Sequence, residues 1–271
     1  MDKNSKDIQL QYEGFLKTPF LWHGKGVLDL QQFENKSIKT TSFSSTITQK
    51  LRLGKLVERF VSSELQQDSS IKMLSENIQI QEGKRTLGEL DCLLLKDKKP
   101  IHLEIIYKFY LHDKTVGNSE IEHWIGPNRR DSFIQKLNKL KNKQLPLLYS
   151  NQCKPYLEKL NLTAKEIEQR VYFKAQLFVP FNDFENEFTL INNDCIRGFY
   201  INSKELQQFS ECKFYMPNKH NWLIEPHANV TWLNFTEYTN RLDIYIKEEN
   251  APLCWIKKPN GELFKFFVTW W

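Results

Sequence analysis

Two acids stand among apolar residues. Asp91 lies in Thr-Leu-Gly-Glu-Leu-Asp-Cys-Leu-Leu-Leu, residues 86–95, and Glu104 in Ile-His-Leu-Glu-Ile-Ile-Tyr-Lys-Phe-Tyr-Leu, residues 101–111. A carboxylate in such company is costly to bury without a cation, a hydrogen-bond network or access to water. The chemistry that a pair of such acids supports is phosphodiester hydrolysis assisted by Mg²⁺ or Mn²⁺. A hard divalent ion takes one or two carboxylates plus water and substrate oxygens, activates the water and absorbs the charge that develops on phosphorus. A nearby lysine would add electrostatic stabilisation. The competing interpretation is purely structural: Glu104 with Lys108 as an ion pair, and Glu89 with Asp91 in a polar network at a sheet edge.

The elements that must position these acids follow from periodicity. Residues 76–82, 86–96 and 100–111 read as three successive strands, the last two joined by the polar turn Lys96-Asp97-Lys98-Lys99-Pro100. Side chains alternate along a strand. Glu89, Asp91, Leu93 and Leu95 therefore share one face of the second strand. In the third, Ile101, Leu103, Ile105, Tyr107, Phe109 and Leu111 make an apolar face, and His102, Glu104, Ile106, Lys108 and Tyr110 a mostly polar one. Before them, Leu53, Leu56, Val57, Phe60 and Val61 predict a helix from Gln49 to Leu65, with Glu58 to one side of its buried stripe. After them, a helix is predicted over Asn128–Lys143, with Phe133, Leu137 and Leu140 buried and Gln144 continuing their stripe. Lys136, Lys139 and Lys143 line an adjacent face, with Arg129 and Arg130 near its start. By itself such a stripe is an ordinary solvated helix face; beside a nuclease centre it would contact a phosphate backbone.

Elsewhere, residues 8–34 read as a helical or irregular lead-in and 36–49 as a loop rich in Ser, Thr and Lys. A helix is expected over 155–169 and a strand over 171–179. Trp232, Phe235, Tyr238 and Leu242 have helical spacing, and Pro259-Asn260-Gly261-Glu262 joins strands at 252–257 and 263–270. This divides the chain into a lead-in (1–50), a core (51–180) and an α+β C-terminal extension (181–271).

Nineteen Phe, ten Tyr and seven Trp in 271 residues are enough to pack a large core, and a net charge of +5 permits an anionic partner without demanding one. The five cysteines form no C-x-x-C pair, so neither a disulfide framework nor a zinc ribbon is expected. His112 and His123 lack zinc-ligand spacing, and Gly24 and Gly26 lack the context of a phosphate loop. No segment approaches the roughly 20 apolar residues of a membrane span. With no secretory leader in the opening residues, the expected setting is soluble and cytoplasmic, with no membrane partner.

Several of these residues resemble a known family. Leu87-Gly88-Glu89-Leu90-Asp91, His102-Leu103-Glu104 and Lys108-Phe109-Tyr110-Leu111 look like the bacterial domain-of-unknown-function family 1853. Trp124-Ile125-Gly126-Pro127, Asp131, Lys136-Leu137, Gln144-Leu145, and Leu53-Gly54 with Glu58 extend the match, which is densest over 51–148. That family is grouped with the PD-(D/E)XK nuclease-like superfamily. The grouping implies an α/β, restriction-endonuclease-like core: a helix, a mixed central sheet and a second helix. It further implies Asp91, Glu104 and Glu58 as ligands of Mg²⁺ or Mn²⁺, and Asp91, Glu104 and a lysine as the catalytic set. Glu89, His102 and Gln144 would be accessory.

The motif expects that lysine two residues after the acid, where this chain has Ile106. Lys108 shares the face of Glu104 but lies roughly 13 Å further along an extended strand; Lys136 is the alternative. The expected function is a metal-dependent nuclease-like hydrolase acting on nucleic acid. The alternative is a non-catalytic module on a degenerate nuclease scaffold, binding nucleic acid or a protein.

Overall fold

The computed structural model describes residues 3–34, 42, 43, 47, 51–183 and 187–271. Apart from residues 42, 43 and 47, the loop expected over 36–49 lies outside the described residues, as does Gln49, the expected start of the next helix. The elements in chain order are α1 (Lys3–Lys17), α2 (Leu53–Leu65), β1 (Ile71–Glu82), β2 (Arg85–Lys96), β3 (Lys99–His112), β4 (Trp124–Ile125) and α3 (Phe133–Lys139). They continue with α4 (Lys154–Lys159), β5 (Glu168–Pro180), β6 (Ile196–Asn202), β7 (Lys213–Tyr215), α5 (Phe235–Lys247), β8 (Leu253–Lys257) and β9 (Leu263–Thr269). Among the described residues no helix is long and apolar enough to cross a membrane.

The fold is α/β with a mixed central sheet. Among the described residues, nine strands join in the order β1-β2-β3-β5-β6-β9-β8-β7, with β4 paired to the end of β3. The β3/β5, β5/β6 and β6/β9 pairs are parallel and the others antiparallel. β1, β2 and β3 form a meander. Lys96 pairs with Lys99 across a two-residue turn in which Asp97 and Lys98 take φ of 49° and 67°, the mirror-image geometry that matches strand twist. The sheet runs unbroken from β5 into β6 and β9, so residues beyond 180 continue the same layer.

Helices cover both faces. Leu56, Val57, Phe60, Val61 and Leu65 of α2 pack with Leu103, Tyr107, Phe109 and Leu111 of β3, and with Tyr12 and Phe15 of α1. On the other face, Phe133 and Leu137 of α3 and then Leu140 pack against Ile106, Tyr110, Val171 and Phe173. The sheet face carrying His102 and Glu104 is therefore roofed rather than solvated. Both residues are fully buried, and Lys108 is half-buried. β3, paired with β2 on one side and β5 on the other, is thus covered on both faces.

The helices differ most from expectation at their ends. α3 begins at Phe133, not Asn128, because residues 126–131 close a tight turn. The Gly126 amide donates to the Asp131 carbonyl at 2.7 Å, Arg129 sits at φ 52°, and the Ser132 hydroxyl caps the helix by accepting from the Gln135 amide. Its far end loosens into a π turn over Leu140–Gln144, followed by a 3₁₀ turn over Leu145–Tyr149 that accommodates Pro146. The helix expected over 155–169 stops at Lys159, and Glu168 already belongs to β5. Asn161 takes a left-handed φ of 54°, while the Leu162 amide donates to Leu157 and the Asn161 amide to Glu158. That double bond around a left-handed residue is a Schellman stop. The C-terminal hairpin forms as predicted, and α5 starts at Phe235 behind an Asn234/Glu237 capping box.

Candidate metal centre

The site forms where β2 leaves β3. Their ladder runs from Lys96↔Lys99 to Cys92↔Leu103 and stops, while β2 continues to pair with β1 as far as Arg85. At the parting, Asp91 replaces a ladder bond: its Oδ2 accepts from the Ile105 amide at 2.8 Å. The opening brings acids from two elements together. Carboxylate oxygens of Glu58 (α2), Glu89 and Asp91 (β2) lie within 4.8 Å of one another. Glu104 is outside this trio, on β3, near enough for its charge to act on Asp91. Burial first, and then Glu104, push the Asp91 carboxyl up to about 7, against the lowering pull of the Ile105 amide.

A lysine that sequence reasoning missed occupies this opening. Lys55 Nζ donates to Glu58 Oε2 at 2.8 Å, Glu89 Oε1 at 2.5 Å and Asn77 Oδ1 at 2.6 Å. Burial pulls the Lys55 ammonium down, but the two carboxylates outweigh it and leave it raised. Burial likewise raises the Glu58 carboxyl, opposed by Lys55. Its only signal in the sequence is the i, i+3 spacing from Glu58, common on helices without any functional meaning.

Glu104 is gripped at both oxygens. Oε1 accepts from His102 Nε2 at 3.0 Å, and Oε2 accepts from Gln144 Nε2. Behind His102 stands Gln169 of β5, whose Nε2 contacts His102 Nδ1 at 3.0 Å and the Leu145 carbonyl at 2.6 Å. The carbonyl fixes the amide as a donor, so His102 Nδ1 accepts and Nε2–H points at Glu104. Gln169 was also missed, because it meets His102 only through the parallel β3/β5 register, His102↔Gln169. On the other side, Gln144 Oε1 accepts from Lys136 Nζ at 2.8 Å. Burial brings the Lys136 ammonium down to about 8, against the opposing pull of Glu104 and Asp91.

The predicted basic residues separate. Lys108 turns to Asp131, Nζ to Oδ2 at 2.6 Å. Arg129 pairs with Asp113 and stacks over Trp271, its guanidinium carbon 4.1 Å from the ring centre. Arg130, Lys139 and Lys143 are exposed, and only Lys136 of the stripe turns to the acids. Because α3 ends at Lys139, Lys143 does not extend a regular helical row.

Gln144→Leu tests the buried chain directly. It would strand a Glu104 oxygen at 0% exposure and remove the Lys136 acceptor. The expected cost is about 2–3 kcal/mol, that of an unpaired buried charged acceptor. Urea denaturation reads it; a loss within about 0.5 kcal/mol would mean that the contact is not made.

The donor set fits a hard divalent cation, since all its groups are carboxylate oxygens. Asp91 with Glu58 and Glu89 would hold the ion, with Glu104 alongside. Among known proteins, a family model described as Domain of unknown function (DUF1853) matches residues 24–263. No curated protein and no solved structure matches.

Proposed function

Because this chain belongs to the DUF1853 family, we propose from the residues of its own site that it is a metal-dependent phosphodiester hydrolase on a PD-(D/E)XK nuclease-like core. The observation that carries the proposal is the convergence of Glu58, Glu89 and Asp91 at the point where β2 and β3 part, beside buried Glu104. Acids from a helix and two neighbouring strands, with helices on both faces, support this reading, with Glu89 in the cluster where the resemblance implies Glu104. A bound Mg²⁺ or Mn²⁺ would supply Lewis-acid stabilisation and an activated water. The protein's share is to hold Asp91 through the Ile105 amide and Glu104 through His102 and Gln144. Exposed Arg130, Lys139 and Lys143 are available to the phosphate backbone of a nucleic acid.

The test combines Mn²⁺ titration with cleavage of single-stranded and duplex DNA and RNA. Mn²⁺ binding and Mn²⁺-dependent cleavage are expected, and Asp91→Ala or Glu104→Ala should lower cleavage at least a hundredfold, the scale of losing a metal ligand or its electrostatic partner. Mn²⁺ binding that ignores both substitutions would sink the proposal. The second reading is a non-catalytic nucleic-acid-binding module. It draws support from the Lys108–Asp131 pair and from Glu104 having both oxygens engaged. Strongly salt-dependent binding without cleavage would favour it.

A further inference from the structure

Position 106, where the motif expects a lysine, is an isoleucine at 3% exposure packed against α3. Three lysines surround the acids, and their bonding separates them. Lys55 has three acceptors for its three ammonium protons: Glu58, Glu89 and Asn77. It has no donor left for a phosphate. Lys108 lies four residues beyond Glu104 along the strand and is neutralised by Asp131 at 2.6 Å. Asp131 is itself fixed by the 126–131 turn, where a Cβ on Gly126 would lie 1.9 Å from its Oδ1. Lys136 differs from both. It enters from α3 over the Glu104 face, half-buried, with one ammonium proton on Gln144 Oε1 at 2.8 Å. Its charge acts on both Glu104 and Asp91.

Resting on the hydrolase reading above, we propose that Lys136 is the lysine that contacts the phosphate, that Gln144 is the positioning residue tying it to Glu104, and that Lys108 has a structural role. The chain Lys136–Gln144–Glu104–His102–Gln169 holds the lysine and the acid in one hydrogen-bonded line. The π turn is what makes this line: it places Gln144 with its amide between the Lys136 ammonium and the Glu104 carboxylate. The migrated lysine thus brings its own link to the acid from the covering helix, where the motif would have both on one strand.

The experiment measures affinity of the full chain for thymidine 5′-monophosphate at saturating Mn²⁺, in the parent and in Lys136→Met, Lys108→Met, Lys136→Arg and Gln144→Leu. Losing a charge-assisted hydrogen bond to phosphate should weaken Lys136→Met about tenfold or more. Lys108→Met should stay within about twofold, and Lys136→Arg should recover most of the loss. The Lys136→Met/Gln144→Leu double variant should lose less than the two single losses combined, because part of the Gln144 effect acts through Lys136. Mn²⁺ affinity of Lys136→Met, unchanged or tighter, confirms an intact fold. A Lys108→Met loss equal to or larger than that of Lys136→Met overturns the assignment, as does additive behaviour of the double variant. If the parent binds Mn²⁺ and cleaves nucleic acid while Lys136→Met is unaffected, only this assignment falls. If the parent binds neither Mn²⁺ nor the nucleotide, the hydrolase reading falls with it.

Discussion

Asp91→Asn is expected to raise the melting temperature in EDTA at pH 8, and the same variant is expected to lose Mn²⁺ binding. The Asp91 carboxyl titrates at about 7 in the folded chain against an ordinary 3.8. Between those values the folded state holds a proton that the unfolded state has released, so stability falls as pH rises from about 4 to 7 and is level above. Three units correspond to an upper bound of roughly 4 kcal/mol at pH 8. The Asn side chain keeps an oxygen for the Ile105 amide, so the local geometry survives while the charge is removed. A gain of about 2–4 kcal/mol at pH 8, vanishing near pH 4, is the predicted signature. Thermal melts across that range check it; a variant less stable than the parent at pH 8 would refute the account of Asp91 as a strained acid. Residues whose ionisation costs stability are characteristic of functional sites.

Gly198→Ala is expected to be among the most damaging single-methyl additions in the chain. Gly198 sits in β6 between Phe178 of β5 and Lys265 of β9. An added Cβ would lie 2.0 Å from the Lys265 carbonyl oxygen and 3.1 Å from the Phe178 ring. The carbonyl belongs to backbone and cannot swing aside as a side-chain tip could. Lys265 is also anchored from within: its buried Nζ donates to Gln176 Oε1 at 2.9 Å and the Trp222 carbonyl at 3.0 Å. The β5/β6 register already shifts between Leu177 and Phe178, which leaves little room for further adjustment. A loss of roughly 3 kcal/mol or more is predicted from overpacking against fixed backbone. A urea midpoint within experimental error of the parent would show that β6 and β9 do not approach as described.

Local patterns carried much of this fold. The polar turn marked the β2/β3 hairpin, the row Ile101, Leu103, Tyr107, Phe109 and Leu111 marked the core face of β3, and Pro259-Asn260-Gly261-Glu262 marked the β8/β9 hairpin, because these signals act between near neighbours. The α2 stripe was equally plain. What could not be read depends on distant partners or on single backbone angles. The Schellman stop at Asn161 overrode a helical pattern, and the parallel β6/β9 pairing joins residues far apart in sequence. Asp91 and Glu104 were legible as apolar-strand carboxylates, whereas Glu58 entered only through the resemblance and Glu89 only as an accessory residue. Lys55 and Gln169 were not legible, since each acquires its meaning only across an element boundary; Lys136 stood as the alternative to Lys108, but its link to Glu104 through Gln144 was not readable. Gln144 lay on the expected helical stripe, but a π turn decides what it touches.

Lys55 also bears on how the centre is assembled. Three carboxylates crowded at a fork would repel one another during folding. With its ammonium bonded to two of them, the chain carries its own counter-ion and ties α2 to β2 beside the fork. The cluster can therefore assemble with the protein's own charges, as one more internal ion pair, and any cation that bound there would have to displace a tethered side chain.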